Sequence, residues 1–277
     1  TGEIKPKDNL LTVRVYDSLE RMQVRGKQSP KGGSYGIMYT NVTGVWQTVW
    51  LEHTGNTYLE DFRFTPHQDL DGGMFDLEIG GDTRGVSAEI KVTGPKIEET
   101  VCADKETVSW QNDKVVPWSP SMPALYQLEM TLHDENGRVL DRVQSYVGVR
   151  TIEARDGKIY LNGEEFYQKL LLDQGYFPGG VYTPKTDKIM RDDVLMYKKM
   201  GFNGLRKHQK VEDPRFLYWC DVEGLVVWEE MPSLGFGIPR RVPDWAMDRF
   251  EKEWMDVIDR DCNHPSIIVW TVYNENW

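Results

Sequence analysis

The feature that most constrains this sequence is a change of rhythm after Arg150. From there strand-like and helix-like segments alternate, and every strand-like run ends in a polar cluster. Lys169-Leu170-Leu171-Leu172-Asp173-Gln174 is an apolar run of the kind a buried parallel strand needs. Thr186 can cap a helix carrying Met190, Val194 and Tyr197 on one face, with Gly201 placed to end it. Phe202-Asn203-Gly204-Leu205-Arg206 reads as the second strand. Pro214 can open a helix through Phe216, Leu217 and Cys220 that Gly224 closes, before a third strand over Leu225-Val226-Val227-Trp228-Glu229-Glu230. Asp244 can cap the longest helix, whose Phe250, Trp254, Val257 and Ile258 share a face, and Ser266 to Val272 is the fourth strand. Such alternation predicts a parallel sheet with right-handed crossovers. The strand-end clusters are Asp173-Gln174, Arg206-Lys207-His208, Glu229-Glu230 and Asn274-Glu275. In a TIM (β/α)8 barrel all such ends share one mouth, where the active site sits. An open doubly wound sheet would carry a glycine-rich phosphate turn after its first strand, and there is none. Gly80-Gly81-Asp82-Thr83-Arg84-Gly85 lies between β runs and reads as a plain turn. Residues 151–277 are therefore expected to form the first half of a TIM barrel.

Before Arg150 the sequence is all-β, with short strands and hardly any helical period. Leu11 to Tyr16 alternates, and Gly44-Val45-Trp46-Gln47-Thr48-Val49-Trp50-Leu51-Glu52 has the bulk on both faces that suits a sandwich strand. Further runs follow at Tyr58–Phe64, Gly85–Val92 and Leu125–Leu132, and Asn136-Gly137 favours a type I′ hairpin turn before Arg138-Val139-Leu140. A break in register at His53 to Asn56 divides this half into the tail of one sandwich over 1–53 and an immunoglobulin-like sandwich over 54–150.

Composition bounds the function. A net charge of −11 and a pI near 5.0 argue against nucleic-acid binding, which needs a basic face. No apolar stretch reaches the roughly 18 to 20 residues of a membrane span. The 10 Trp, 13 Tyr and 9 Phe rule out disorder and admit flat ligands such as sugars, although most Trp belongs to cores. Cys102, Cys220 and Cys262 are too scattered for a disulfide framework. His53, His67, His133, His208 and His264 lack metal-ligand spacing, so neither a zinc site nor any other cofactor is expected. The start, Thr-Gly-Glu-Ile-Lys, is no signal peptide; either the protein is cytoplasmic or its export signal is not in this chain.

Five ordered motifs then carry a resemblance. Gly44 to Glu52 is similar to the G-[IV]-W-[QR]-x-V-W-L signature of the sugar-binding jelly roll of glycoside hydrolase family 2, the β-galactosidase, β-glucuronidase and β-mannosidase family. Pro117-Trp118-Ser119-Pro120 with Pro123 and Leu125-Tyr126 resembles a segment of its immunoglobulin-like domain. Gly201 to Arg206 resembles its G-F-N-x-[VL]-R strand, and Asp213-Pro214-Arg215-Phe216 running through Cys220-Asp221 to Glu230 resembles the next block. His264-Pro265-Ser266-Ile267-Ile268-Val269-Trp270 followed by Asn274-Glu275 resembles the H-P-S-[IV]-x-x-W…N-E signature. The resemblance makes 1–53 the later part of a jelly roll, leaving that domain without its first strands.

The resemblance implies a retaining exo-β-glycosidase, β-galactosidase-like, acting on a carbohydrate substrate by double displacement. Two carboxyl groups about 5 to 5.5 Å apart are needed, one as acid/base and one as nucleophile. Glu275 aligns with the acid/base. At a strand end beside Trp270, Tyr273 and Trp277, partial desolvation could keep such a carboxyl protonated near neutral pH. Asn274 aligns with the residue expected to meet the sugar 2-hydroxyl, and Arg206 with the strand-two arginine that orients the site's carboxylates. Where the family continues T-S-H-Y-P, this chain reads Lys207-His208-Gln209-Lys210, and His208 is a candidate sugar contact. Asp173, in place of G-x-N-x-H after strand one, is another. Glu229 and Glu230 are expected behind the catalytic groups. The nucleophile, a glutamate at the end of strand seven in the family, falls outside these residues. The chain is therefore expected to be a fragment, inactive alone, whose barrel is completed by the remainder of the same full-length protein, with a homo-oligomer left open. A non-catalytic carbohydrate-binding protein and another family 2 specificity are the alternatives.

Overall fold

The computed structural model describes residues 7–18, 20–103, 106–235 and 242–275. Seven antiparallel strands make a sandwich: β1 (Thr57–Pro66), β2 (Gly72–Gly81), β3 (Ser87–Gly94), β4 (Ile97–Ala103), β5 (Thr107–Gln111), β6 (Tyr126–His133) and β7 (Val139–Val147). One sheet has the order β1-β2-β5 and the other β4-β3-β6-β7. Alternating apolar residues from both sheets meet in a core around Phe75, Ile90, Trp110, Tyr126 and Val147, all fully buried. A small antiparallel sheet, β8 (Ile152–Arg155), β9 (Lys158–Leu161) and β10 (Glu164–Glu165), leads out of the sandwich. Its turn has Asp156 and Gly157 both at positive φ, 52° and 74°, as a type I′ hairpin requires.

The second half is the expected parallel sheet. β11 (Leu170–Asp173), β12 (Gly204–Lys207), β13 (Val226–Glu230) and β14 (Ile267–Thr271) pair in that order, all parallel. The helices between them are α1 (Asp187–Lys199), α2 (Pro214–Glu223) and α3 (Asp244–Asp261). Asp213 caps α2 by accepting the Arg215 N–H, and Gly224 ends it in the left-handed region at φ 75°. Leu171, Leu205, Val227 and Ile267 pack on α1 and α2, while Leu170, Val226, Trp228 and Ile268 face the other way. Strand parity therefore decides which strand-end side chains lie towards the helices and which towards the barrel side.

Three local expectations are corrected. The runs Leu11–Tyr16 and Gly44–Glu52 form no strand, and Leu11, Val13, Val49, Trp50 and Leu51 are exposed. A strand exists only through a partner, and no described element lies along these two. Asn136-Gly137 does not make a type I′ turn, because only Gly137 has positive φ. The Asp134 carboxylate instead accepts the N–H groups of Asn136 and Arg138, an Asx-type turn that widens the loop. Asp244 is the first residue of α3 and Pro243 precedes it as the cap.

The sandwich is bolted to the barrel. Trp118, completely buried, donates from Nε1 to the Asp221 carbonyl at 2.8 Å, and Arg150 donates to the Pro265 and Ile267 carbonyls at 3.1 and 2.5 Å. The Asp221 carboxylate accepts the Tyr146 hydroxyl at 2.7 Å and the Ser266 N–H at 2.9 Å, and lies 2.5 Å from His264 Nδ1.

Candidate active site

The carboxyl ends of β11 to β14 form one side of a barrel mouth, and register sorts their polar residues into two sets. Leu172, Arg206 and Trp228 are paired neighbours across three strands, so they share a face, and Glu230 joins them two residues beyond Trp228. Asp173 and Lys207 are paired on the opposite face.

The barrel-side set centres on Glu230, whose side chain is fully buried. Its Oε2 accepts Arg206 Nε at 2.6 Å and lies 2.5 Å from Arg206 Nη2 in an ion pair, and its Oε1 accepts the Gln209 N–H at 2.9 Å. His208 Nδ1 sits 3.0 Å from Oε1, close enough for charge contact but without an aligned hydrogen bond. Burial opposes ionisation of Glu230, yet His208 and Arg206 outweigh it and hold the carboxyl below its ordinary range. Arg206 also donates from Nη2 to Asn274 Oδ1 at 2.8 Å. The structure thus brings Arg206, Asn274 and Glu230 together, with Glu275 next in the chain.

Glu275 itself is exposed and adopts a left-handed backbone at φ 51°. The aromatic desolvation expected around it is not supplied by the described residues. Trp270 meets Trp254 edge-on at 5.7 Å and Tyr273 stacks on Phe250 at 5.4 Å, so both rings belong to the packing on α3. Trp277 lies outside the described residues.

Asp173 is corrected as a sugar contact. It faces the helix side, where Oδ2 receives Lys207 Nζ at 2.8 Å and Oδ1 the Gly175 N–H at 2.8 Å. His208 is 7% exposed, with its ring Nδ1 turned to Glu230 on the barrel side and its backbone N–H donating to the Asp173 carbonyl. Behind the sheet Lys207 also pairs with Glu212 at 2.5 Å, and burial, which would discharge it, is outweighed by these two carboxylates. Lys210, fully buried, donates to the Gly175 and Tyr182 carbonyls at 2.6 and 2.9 Å and is surrounded by Trp46, Phe177 and Tyr182. Glu229 takes the other parity. Burial first, then the charge of Asp261, pushes its carboxyl up to about 8, and it accepts the Glu212 N–H.

Sequence reasoning missed the N-terminal contribution to this mouth. Val24 bridges to Leu234, and the Arg25 and Gly26 N–H groups both reach the Ser233 carbonyl. Gly26 is at φ 56°, and a Cβ there would lie 2.2 Å from the Gln209 carbonyl oxygen, so only glycine fits. Tyr39 stacks on Tyr176 at 3.8 Å and donates to Gln174, while Gln47 binds the Glu212 carbonyl at 3.2 Å. The signal was the glycine, which pattern reading treats as one loop residue among many.

An antiparallel sandwich followed by parallel β/α units, with Asn-Glu just past a strand end, defines a multidomain β plus α/β architecture. The comparisons specify the family. Residues 57–150 match the model described as glycosyl hydrolases family 2, and residues 152–277 match its TIM barrel domain. The chain belongs to glycosyl hydrolase family 2. It is 30% identical over 96% of its length to a β-galactosidase of Thermoanaerobacter pseudethanolicus, of which it covers 36%. A β-glucuronidase of Paenibacillus borealis is 24% identical over 86% of this chain and 41% of that protein. In fold, the apo β-glucuronidase 3 of Bacteroides uniformis superposes with a TM-score of 0.76 at 24% identity, over 95% of this chain and 32% of that one. The chain spans about two fifths or less of the length of these relatives.

Proposed function

We propose that the whole protein is a retaining exo-β-glycosidase, β-galactosidase-like in specificity, that removes terminal β-linked sugars by double displacement. Glu275 is its acid/base, and the nucleophile glutamate comes from residues beyond those described. Asn274 meets the sugar's 2-oxygen, and Arg206 holds the site's polar groups in register. The observation that carries this reading is the contact of Arg206 with Asn274 at the strand ends, immediately before Glu275. An exposed carboxyl at a half-lined mouth can reach a glycosidic oxygen, protonate it as the bond breaks, then take the proton from the incoming water. A neutral sugar is favoured because Lys207 and Lys210 are fully buried on carboxylates and carbonyls, and Arg206 is engaged by Glu230. None of these three cations is free to receive a uronate carboxylate.

The test is Glu275→Gln in the full-length enzyme. Turnover of an alkyl or sugar glycoside should fall by about 10²- to 10⁴-fold, and that of an aryl glycoside with an acidic leaving group by much less. Near-normal rates on the poor leaving group would refute the assignment. A panel of aryl β-glycosides assigns the sugar.

A further inference from the structure

Arg206 and Asn274 are joined by a bond whose polarity is fixed by chemistry. A guanidinium carries only donors, so the amide atom it touches must be the oxygen. With Oδ1 turned to Arg206 Nη2 at 2.8 Å, the NH2 of Asn274 is turned away from Arg206 and offers donors only. Arg206 does not choose that position freely. Both Nε and Nη2 are drawn onto one oxygen of Glu230, which is fully buried and whose second oxygen is held by the Gln209 N–H. Gln209 is a non-glycine residue at φ 61°, a conformation that persists only where its surroundings over-determine it. Those surroundings are Glu230 on its N–H and Ser233 on its side chain, with Gln209 Nε2 donating to Ser233 Oγ at 3.0 Å and Oε1 accepting the Ser233 N–H at 2.8 Å. Glu230 is therefore anchored from two sides, by Arg206 and Gln209.

We propose that Glu230 is a positioning residue that, through Arg206, locks the Asn274 amide with its oxygen on Arg206 and its NH2 left for the substrate. The inference rests on the reading that Asn274 meets the sugar's 2-oxygen. The lock matters for rate because a donor fixed before binding costs no reorganisation when charge develops on the ring, whereas a free amide would sample both faces.

The experiment uses the full-length enzyme and two aryl β-glycosides of its preferred sugar with the same leaving group, one with the 2-hydroxyl and one 2-deoxy. Asn274→Ala should lower kcat/KM on the hydroxylated substrate about tenfold or more and leave the 2-deoxy substrate within about threefold of its wild-type value. Glu230→Gln keeps the volume but sets an NH2 against a donor, and it should show the same selective loss. The double variant should lose no more selectivity than Asn274→Ala alone, since both act through one contact. Arg206→Lys keeps the charge for Glu230 without the fork that reaches Asn274, and it carries the decision if Glu230→Gln does not fold. Equal losses on both substrates for Glu230→Gln and Arg206→Lys, with Asn274→Ala still selective, would overturn the positioning role alone. An unselective Asn274→Ala would overturn the reading of Asn274, and the inference with it.

Discussion

At the scale of single residues, the chemistry turns on which face of a strand a side chain takes. Arg206 and Asn274 were singled out at strand ends inside recognisable motifs, and the structure places them in contact at 2.8 Å. The face taken by Asp173 was not legible: Leu170, Leu171 and Leu172 are apolar on both faces, so nothing in the run says that Asp173 pairs with Lys207 behind the sheet. The Glu229-Glu230 pair shows the same rule, with one carboxylate ionised beside Arg206 and its neighbour held towards neutrality by burial. His264 gives a pH prediction. Its burial would discharge the ring, but the Asp221 carboxylate at 2.5 Å outweighs that and raises its pKa above the ordinary 6.5. A raised folded-state pKa means that the pair's full contribution is present below pH 6.5 and is lost as pH rises through the folded value. The difference in melting temperature between wild type and His264→Gln should thus be largest in mild acid and shrink towards alkaline pH. A difference that grows with pH would contradict this.

At the scale of elements, local signals carried the parallel half and failed where pairing is remote. α2 was readable from Asp213, Pro214 and Gly224 because cap, first turn and stop are all local chemistry. The β runs at 11–16 and 44–52 carry strand-like residues, yet a ladder is completed by another segment, which no window of sequence contains. Asn136-Gly137 misled because the Asp134 side chain, two residues upstream, captured the backbone donors first. Gly224 is the element-level prediction. Besides its φ of 75°, a Cβ there would sit 2.5 Å from the Pro120 carbonyl oxygen of the sandwich. Gly224→Ala should lower the unfolding free energy by about 2 kcal/mol or more, measured by denaturant titration. A neutral result would mean that the Pro120 loop yields at no cost.

At the scale of the whole molecule, sandwich and barrel share the Asp221 hub. Trp118 takes its carbonyl, Tyr146 and His264 its carboxylate, and Arg150 reaches the start of β14. Trp118→Ala should cost about 3 to 5 kcal/mol, and calorimetry should show the barrel transition moving down together with that of the sandwich. Independent movement of the sandwich transition alone would show that the hub does not couple them.

The residues from Arg21 to Gln47 have a different consequence. They cross the strand ends, with Gly26 pressed on Gln209, Tyr39 on Tyr176 and Trp46 beside Lys210. One side of the barrel mouth is thus written some 150 residues upstream of the loops it faces, since the Tyr39 hydroxyl bonds a residue 135 positions away. For anyone exchanging parts between relatives, the barrel is not a portable module. A chimera that transplants it onto a foreign N-terminal segment inherits the catalytic strand ends together with someone else's side of the mouth, and the leader and barrel have to travel as one cassette.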